Sequence, residues 1–281
     1  MKKLTLNNMG ALPYSAEEAM NRLLVNFGLC GKEYKKVIVT SSLPNEGKSF
    51  VATHLWRLLA EAGNKVILVD ADIRKSVIRS RYQLTTEETN PIGLAHHLAG
   101  QAELEDVIYT TNIRGGFIVP TFRTVANPAI LLQSGRFGSM LDRLAQVSDY
   151  VLVDTPPLTN VSDGGLIASH CDGALLVVRS GSTPKGLVAN SIKQLELANC
   201  RLLGTVLNRV EQKQNAYYYR YSHYGYGDGY GYGQENSGKK KHHKSGSSRQ
   251  APERQAADRQ SGDRQSAEKN RGNNSGDESG N

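Results

Sequence analysis

The stretch Val37-Ile-Val-Thr-Ser-Ser-Leu-Pro-Asn-Glu-Gly-Lys-Ser49 decides the fold class of this chain of 281 residues. Its apolar, β-branched start predicts a buried strand, a turn-rich loop follows over residues 41–47, and a helical pattern begins at Lys48. A loop of this kind between a strand and a helix N-terminus presents backbone N–H groups and the positive end of the helix dipole to an anion. The stretch therefore predicts a phosphate-binding P-loop.

Individual residues of this loop suit a nucleoside triphosphate and its metal. Gly47 lets the backbone approach the phosphates, the Lys48 ammonium would reach the β- and γ-phosphates, and the Ser49 hydroxyl would bind Mg²⁺. Ser42 stands where the general pattern has its first glycine, so an ordinary strand-to-helix turn remains the alternative. The residues expected to contact the nucleotide here are Asn45, Glu46, Gly47, Lys48, Ser49 and Phe50.

Acidic residues follow two other apolar runs. Asp70 and Asp72 come at the end of a predicted strand over residues 65–70, and Asp154 ends another over residues 150–154. Asp154 resembles a carboxylate that holds Mg²⁺, directly or through water. Of Asp70 and Asp72, one would orient the metal and the other would accept a proton from an attacking hydroxyl. Each aspartate alone could also be a solvated turn residue or a helix cap. Beside Mg²⁺ and Lys48 we expect all three carboxylates to be ionised.

The order of elements predicts an α/β fold of the P-loop NTPase type. Further strands are expected at 116–120, 173–179 and 202–208, and helices at 15–29, 48–62, 94–99, 128–146, 162–169 and 183–199. Strands apolar on both faces that alternate with helices indicate a mainly parallel sheet covered by helices on both sides. Ligands bind such sheets at the carboxyl ends of the strands, where the loop and the three aspartates fall.

Composition divides the chain into four predicted segments. These are an N-terminal arm and helix (1–30), the P-loop domain (31–212), a tyrosine cluster (213–236) and a disordered, polar, basic tail (237–281). Eight of the 13 tyrosines lie between Tyr217 and Tyr232, spaced mostly by glycine, which cannot build a core. The last segment contributes +4 to a net charge of +7, too small an excess to identify a membrane or nucleic-acid partner.

Two classes of protein are disfavoured by the sequence. The chain has no run of about 20 apolar residues that could cross a bilayer. Its start, Met1-Lys-Lys-Leu-Thr5, lacks the apolar segment of a signal peptide. The three cysteines, in apolar surroundings without paired spacing, are expected to be reduced thiols of a cytosolic protein.

Several stretches together resemble the bacterial tyrosine kinases that regulate capsular and extracellular polysaccharide synthesis and export. They are Ser41 to Ser49, Val69-Asp-Ala-Asp-Ile-Arg74, Gly93 to Gly100, Asn127 to Leu132, Tyr150 to Pro157, Cys171 to Arg179, Leu203 to Asn208 and the tyrosine cluster. They cover roughly residues 12 to 232, in the family's order.

The resemblance implies ATP and Mg²⁺ as cofactors and a role for each site residue. Lys48 and Ser49 would bind ATP and Mg²⁺, Asp70 would be the catalytic base, and Asp72 and Asp154 would serve the metal. Asn208 would face the adenine, and Arg74 matches a basic residue of the family. The phosphoacceptors would be Tyr217, Tyr218, Tyr219, Tyr221, Tyr224, Tyr226, Tyr230 and Tyr232, modified by a neighbouring subunit.

The resemblance also implies partners and a location. It predicts self-association, a transmembrane activator with a cytoplasmic tail, a cognate tyrosine phosphatase, no nucleic acid, and a place at the inner face of the cell membrane. The family's N-terminal pattern Glu-x-x-Arg-x-x-Arg is altered, because Glu18 is kept while Asn21 and Leu24 occupy the arginine positions.

Two other functions remain open at this point. One is a partition or septum-positioning ATPase of the same fold, against which Leu43 counts because those proteins carry a second lysine there. The other is a regulatory scaffold whose tyrosine-rich tail binds nucleic acid or polymer.

Overall fold

A computed structural model describes residues 2–159 and 162–211, in which strands and helices alternate. The first half contains β1 (Lys2–Leu6), α1 (Tyr14–Gly28), β2 (Lys36–Ser41), α2 (Lys48–Glu61), β3 (Val66–Asp70), α3 (Ile78–Arg81), β4 (Leu84–Thr85), α4 (Leu94–Leu98), α5 (Leu104–Val107) and β5 (Tyr109–Thr111). The second half contains β6 (Gly116–Val119), α6 (Ala129–Leu132), α7 (Arg136–Val147), β7 (Tyr150–Asp154), α8 (Asp163–Ala168), β8 (Gly173–Arg179), α9 (Lys185–Leu197) and β9 (Arg201–Asn208).

One sheet of nine strands runs through the described residues in the order β4-β1-β5-β6-β3-β7-β2-β8-β9. The six strands from β6 to β9 in this order are mutually parallel, and within the described part of the chain antiparallel pairing occurs only at β5–β6 and β1–β4. In the centre, β3, β7 and β2 lie side by side, so their carboxyl ends meet at one edge of the sheet. The mainly parallel sheet expected from the sequence is confirmed.

Helices cover both faces of this sheet, each over its own apolar core. On one face, α1 and α2 bury Phe27, Leu55 and Trp56 against the strands. On the other face, α4 and α6 to α9 bury residues such as Phe137 and Leu195. The central strands are therefore apolar on both sides, as parallel sheets generally are. Among the described residues, no helix is both long and apolar enough to span a membrane.

The helix predicted over residues 128–146 is wrong in one respect, because the segment forms two helices. α6 ends at Leu132 and α7 begins at Arg136. Between them the Ser134 hydroxyl donates to the carbonyl oxygen of Leu131, and Gly135 adopts a φ of 16°. A hydroxyl that donates to the nearby backbone competes with the helical hydrogen bonds, so Ser134 favours a break between the two helices.

The N-terminal segment contributes a strand that the sequence analysis did not predict. β1 pairs in parallel with β5 and antiparallel with the two-residue β4. Leu4 and Leu6 of β1 are buried, whereas the lysines before them are not. A strand so short and charged gives little periodic signal, and its paired residues lie 78 to 107 positions away in the chain. The predicted tyrosine cluster and polar tail lie outside the described residues.

Candidate active site

The loop from β2 to α2 has the backbone geometry that its sequence demands. Asn45 has a φ of 63° and Gly47 a φ of 102°, both in the left-handed region. Asn tolerates this region better than most residues and glycine adopts it freely. Gly47 is the N-cap residue of α2, so the loop brings backbone N–H groups to the start of this helix. This is the arrangement of an anion-binding helix N-terminus.

The Glu46 side chain braces this loop from behind. Glu46 is 2% exposed, and its carboxylate accepts hydrogen bonds from the backbone nitrogens of Leu43 (2.7 Å) and Arg179 (3.3 Å). The Thr183 hydroxyl also donates to it. Sequence reasoning placed Glu46 among the nucleotide contacts, but the side chain is committed to the protein, so contact with a nucleotide would involve its backbone. Arg179 and Thr183, at and after the end of β8, are more than 130 residues away in the chain, so these two partners had no local signal in the sequence.

Asn208 lies against the same loop from the end of β9. Its side-chain amide donates to the carbonyl oxygen of Glu46 at 2.8 Å. A Cβ atom added to Gly47 would lie 2.0 Å from the Asn208 amide nitrogen and would displace it, and the φ of 102° also favours glycine at this position. The structure thus places Asn208 at the phosphate loop itself, and contact of its amide with adenine stays a prediction.

The three predicted aspartates meet at the carboxyl edge of the central strands. Asp70 of β3 pairs in register with Asp154 of β7, and both are essentially buried. The chain turns directly after β3, where the Lys75 nitrogen bonds both the Asp72 carbonyl and its carboxylate. The Lys48 ammonium lies 3.2 Å from Asp72 Oδ2. The structure therefore brings Lys48, Asp70, Asp72 and Asp154 together, as the sequence predicted.

Three buried carboxylate oxygens at this edge are available to a cation. Asp70 Oδ1 and both oxygens of Asp154 have no hydrogen-bond partner within the described part of the chain. Burial raises the pKa of Asp154 to about 6, and the Lys48 ammonium opposes the shift. Burial and the nearby charges of Asp154 and Asp72 raise the pKa of Asp70 well above its ordinary value. The ionised forms of Asp70 and Asp154 that the sequence analysis expects are therefore favoured by added positive charge, which a divalent cation would supply.

These donors fit Mg²⁺ bound together with a nucleotide. Ser49 lies in the first turn of α2, and the Asp154 and Asp72 carboxylates lie near Lys48. The hydroxyl and the two carboxylates offer a metal only oxygen ligands. Within residues 2–159 and 162–211, no three His, Cys, Asp or Glu side chains form a metal cage by themselves. Mg²⁺ commonly binds through one or two carboxylates, with phosphate and water oxygens completing its octahedron.

Sequence reasoning missed two residues that hold Asp70. The Ser76 hydroxyl donates to Asp70 Oδ2 at 2.5 Å, and the Thr121 hydroxyl donates to the Asp70 carbonyl at 2.7 Å. The Thr121 backbone nitrogen also lies 3.4 Å from Oδ2. Ser76 follows β3 and Thr121 follows β6, the neighbouring strand. Thr121 reaches the site because these two strands pair, so no local motif in the sequence indicated its role.

A second missed contact fixes the loop after β3. Arg74 forms a two-pronged ion pair with Asp163, with Nε–Oδ2 at 2.5 Å and Nη2–Oδ1 at 3.3 Å. Its Nη1 donates to the Ala126 carbonyl oxygen at 2.7 Å. Asp163 is 1% exposed, so Arg74 neutralises a buried charge at the start of α8. Arg74 thereby ties the loop after β3 to the segment after β7.

Two sets of predicted site residues remain, namely Phe50 on α2 and the eight phosphoacceptor tyrosines. Phe50 is half-buried on α2 and packs against His54, with 4.3 Å between ring centroids and 46° between ring planes. The eight expected phosphoacceptor tyrosines lie outside the described residues.

Comparisons with known proteins agree with this geometry. A family model described as the CobQ/CobB/MinD/ParA nucleotide binding domain matches residues 37–224. The chain is 37% identical to tyrosine-protein kinase CpsD of Streptococcus agalactiae over 72% of this chain and 86% of that protein. It is 30% identical to tyrosine-protein kinase YwqD of Bacillus subtilis over 70% and 81% of the respective chains.

Two solved structures resemble the fold of this chain. The kinase domain of Escherichia coli tyrosine kinase ETK superposes with a TM-score of 0.62 at 29% identity, covering 77% of this chain and 81% of that one. The septum site-determining protein MinD of Pyrococcus horikoshii, complexed with Mg-ADP, matches with a TM-score of 0.53 at 23% identity, which shows a shared fold.

Proposed function

This chain belongs to the bacterial tyrosine-protein kinases within the CobQ/CobB/MinD/ParA nucleotide-binding family, and we propose that its P-loop edge transfers the γ-phosphoryl group of ATP to tyrosines of its own C-terminal cluster. One observation carries the proposal. Lys48 of the phosphate loop and three aspartates of β3 and β7 converge within one buried, partly unsatisfied cluster. A cationic donor for phosphates beside carboxylates for a metal and a proton is what phosphoryl transfer requires.

Each residue has a defined part in the proposed reaction. Lys48 and the backbone of residues 45–49 bind the phosphates, and Asp70 accepts the phenol proton. The phenol oxygen forms a bond to the γ-phosphorus while the bond from that phosphorus to the β–γ bridging oxygen breaks, so that ADP leaves. Ser76 and Thr121 orient the Asp70 carboxylate for this proton transfer. Bound Mg²⁺, held by Ser49, Asp154 and Asp72, would supply charge neutralisation at the phosphates.

The acceptors we propose are the eight tyrosines from Tyr217 to Tyr232 on a neighbouring copy of the chain. Four or more phosphates, each adding about −1.5 to −2 charges, would outweigh the positive charge of the adjoining tail. A modified tail would then leave the cationic site of its neighbour. We propose that phosphorylation in this way loosens an assembly of subunits.

The biological setting is proposed from family membership. Bacterial tyrosine kinases of this kind act in capsular and extracellular polysaccharide synthesis and export, and we assign this chain to that role. Its partners would be a transmembrane activator with a cytoplasmic tail and a cognate tyrosine phosphatase, which places it at the inner face of the cell membrane.

Incubation with labelled ATP and Mg²⁺ tests the proposal against the two other functions left open by the sequence. A kinase incorporates label as phosphotyrosine. A partition-type ATPase switch would release phosphate without labelling the protein, and a scaffold with a degenerate site would do neither. Absence of phosphotyrosine from the folded, ATP-binding protein would contradict the assignment.

A further inference from the structure

A groove opens on the surface directly beside Asp70. It lies between α3 and the segment that follows β6, has a volume of about 440 Å³, and is lined by Ser76, Arg79, Ser80, Thr121 and Phe122 among others. Two of these residues, Ser76 and Thr121, are the residues that hydrogen-bond Asp70. The inner end of the groove is therefore formed by the partners of the proposed catalytic base.

One wall of the groove is an aromatic ring held in a fixed position. Phe122 contacts Tyr109 edge to face, with 5.8 Å between centroids and 71° between planes. Tyr109 is fully buried, and its hydroxyl donates to the Ile92 carbonyl oxygen at 2.8 Å. Behind the ring, a Cβ atom on Gly93 would lie 3.3 Å from Phe122 and 2.1 Å from the Pro120 carbonyl oxygen, so glycine alone permits this packing. Phe122 is half-buried and presents the rest of its ring to the groove.

A cation lies over the same ring. The Arg79 guanidinium is 5.5 Å from the centroid of Phe122, and Arg79 is exposed on α3. Guanidinium groups stack on aromatic faces, and aromatic rings attract one another edge to face. A groove with an aromatic wall, a stacking guanidinium and a polar inner end suits a side chain that is an aromatic ring with a hydroxyl at its tip.

We propose that this groove binds the side chain of the acceptor tyrosine, supplied by the Tyr217–Tyr232 segment of a second copy of the chain. The ring lies in the groove against the part of Phe122 that Arg79 leaves open, beside the guanidinium, and the hydroxyl reaches Asp70 past Ser76. Glycine adjoins four of the eight tyrosines, and a residue without a side chain leaves space beside the ring that enters. The inference rests on the proposed function and names the residues that select tyrosine over serine or threonine, whose short side chains cannot contact Phe122 and Asp70 together.

The test measures phosphorylation in trans between two full-length chains. The enzyme copy has its eight clustered tyrosines changed to Ser, so that its own tail offers no aromatic ring. The acceptor copy is Lys48→Met with an intact cluster. The KM for the acceptor chain, kcat and the ATP dissociation constant are determined for each enzyme variant.

A matched pair of substitutions fills the groove or leaves it open. Ser80 and Ser169 are both exposed, and each hydroxyl donates to the carbonyl oxygen three residues earlier, but only Ser80 lines the groove. Ser80→Trp should raise the acceptor KM by more than about tenfold with ATP binding within about twofold, because the indole occupies the space of the acceptor ring. Ser169→Trp should match the parent enzyme in all three quantities.

Two milder variants keep the inference falsifiable if the added indole disturbs folding. Phe122→Leu should raise the acceptor KM roughly three- to tenfold, the loss expected for one aromatic contact. Arg79→Gln, a change at an exposed position, should raise it about threefold. An unchanged acceptor KM and kcat in Arg79→Gln and Phe122→Leu overturns the groove assignment. The kinase assignment survives that result, because the parent enzyme and Ser169→Trp would still label the acceptor.

Discussion

The chemistry of the site depends on where four side chains lie. Lys48 begins α2, Asp70 and Asp154 end adjacent strands, and Asp72 follows in the turn after β3. Their residue types could be read from the sequence, and their meeting followed from the rule that ligands bind at the carboxyl ends of parallel strands. The partners of Asp70 could not be read, because Ser76 and Thr121 reach it through a turn and a neighbouring strand. The bracing role of Glu46 was hidden for the same reason.

Asp70→Asn separates proton acceptance from nucleotide binding. Asparagine preserves size and removes basicity, so we expect ATP to bind while tyrosine phosphorylation falls by about 10² or more. The measurements are single-turnover transfer and the ATP dissociation constant. Asp142→Asn is the matched control, since Asp142 is an exposed carboxylate that pairs with Lys36 at the other edge of the sheet. A loss confined to ATP affinity would make Asp72 the better candidate base.

Asp154→Asn tests the assignment of the metal ligands. The change removes a charged oxygen ligand from the proposed Mg²⁺ site, so the Mg²⁺ concentration giving half-maximal activity should rise by about tenfold or more, together with a fall in turnover. A titration of kinase activity with Mg²⁺ measures both. If half-maximal activity comes at the same Mg²⁺ concentration as in the parent protein, Asp154 does not serve the metal.

At the scale of elements, α2 connects the phosphate loop to the core. Its N-terminus carries Lys48 and Ser49, and its inner face buries Leu55 and Trp56. The Trp56 indole donates to the Val66 carbonyl oxygen at 3.1 Å, which fixes α2 against β3. The site is therefore held by the same packing that holds the sheet. Any loss of that packing should appear in the fluorescence of Trp56, the single tryptophan of the chain.

His54 on α2 should make stability depend on pH. Burial, with the charges of Arg57 and Arg81, lowers the pKa of His54 to about 4 from 6.5. Between these values the unfolded chain binds a proton that the folded chain does not, so the stability due to neutral His54 is complete above pH 6.5 and is lost as pH falls toward 4.

Urea unfolding followed by Trp56 fluorescence checks this dependence. The urea midpoint of the parent protein should fall more steeply from pH 7 to pH 4.5 than that of His54→Phe. In the variant a ring of similar size still faces the neighbouring rings of Phe50 and Tyr82. Other titrating groups are common to both proteins and cancel in the comparison. Parallel pH profiles for the two proteins would show that His54 does not titrate in this way.

Strands and helices could be predicted from the sequence where the local pattern of apolar residues is strong. They were missed where pairing with distant strands decides the secondary structure. The strands β2, β3, β7 and β8 were recognisable from continuous apolar runs ending at turns or aspartates. The break between α6 and α7 was missed because the helical period of apolar residues continues across Ser134 and Gly135. β1, β4 and β5 escaped prediction because each has two to five residues and exists through its partners.

At the scale of the whole molecule, the described residues form a kinase domain whose proposed substrates lie beyond its last strand. β9 ends at Asn208, against the phosphate loop, and the first clustered tyrosine, Tyr217, comes nine residues later in the sequence. Transfer between subunits would then couple catalysis to assembly. The altered pattern on α1, where Asn21 is exposed and Leu24 is half-buried, indicates that any contact between subunits through this helix differs from the family's.

Two truncations divide the C-terminal residues by function. A chain ending after Gly233 keeps all eight clustered tyrosines, and we expect it to autophosphorylate at nearly the full rate because residues 237–281 hold no tyrosine. A chain ending after Ala216 should bind ATP and show almost no phosphotyrosine of its own, yet label a Lys48→Met chain supplied in trans. Phosphotyrosine on the shorter chain at the level of the longer one would place the acceptors elsewhere.

The most direct test of the central claim is the phosphotyrosine content of residues 217–232 after incubation with ATP and Mg²⁺, measured by mass spectrometry in three proteins. Lys48→Met removes the ammonium at the phosphate loop, and Lys35→Met removes an exposed lysine before β2, at the opposite edge of the sheet. The account predicts several phosphotyrosines in the parent protein and in Lys35→Met, and almost none in folded Lys48→Met. Equal phosphorylation of this segment in folded Lys48→Met would contradict it.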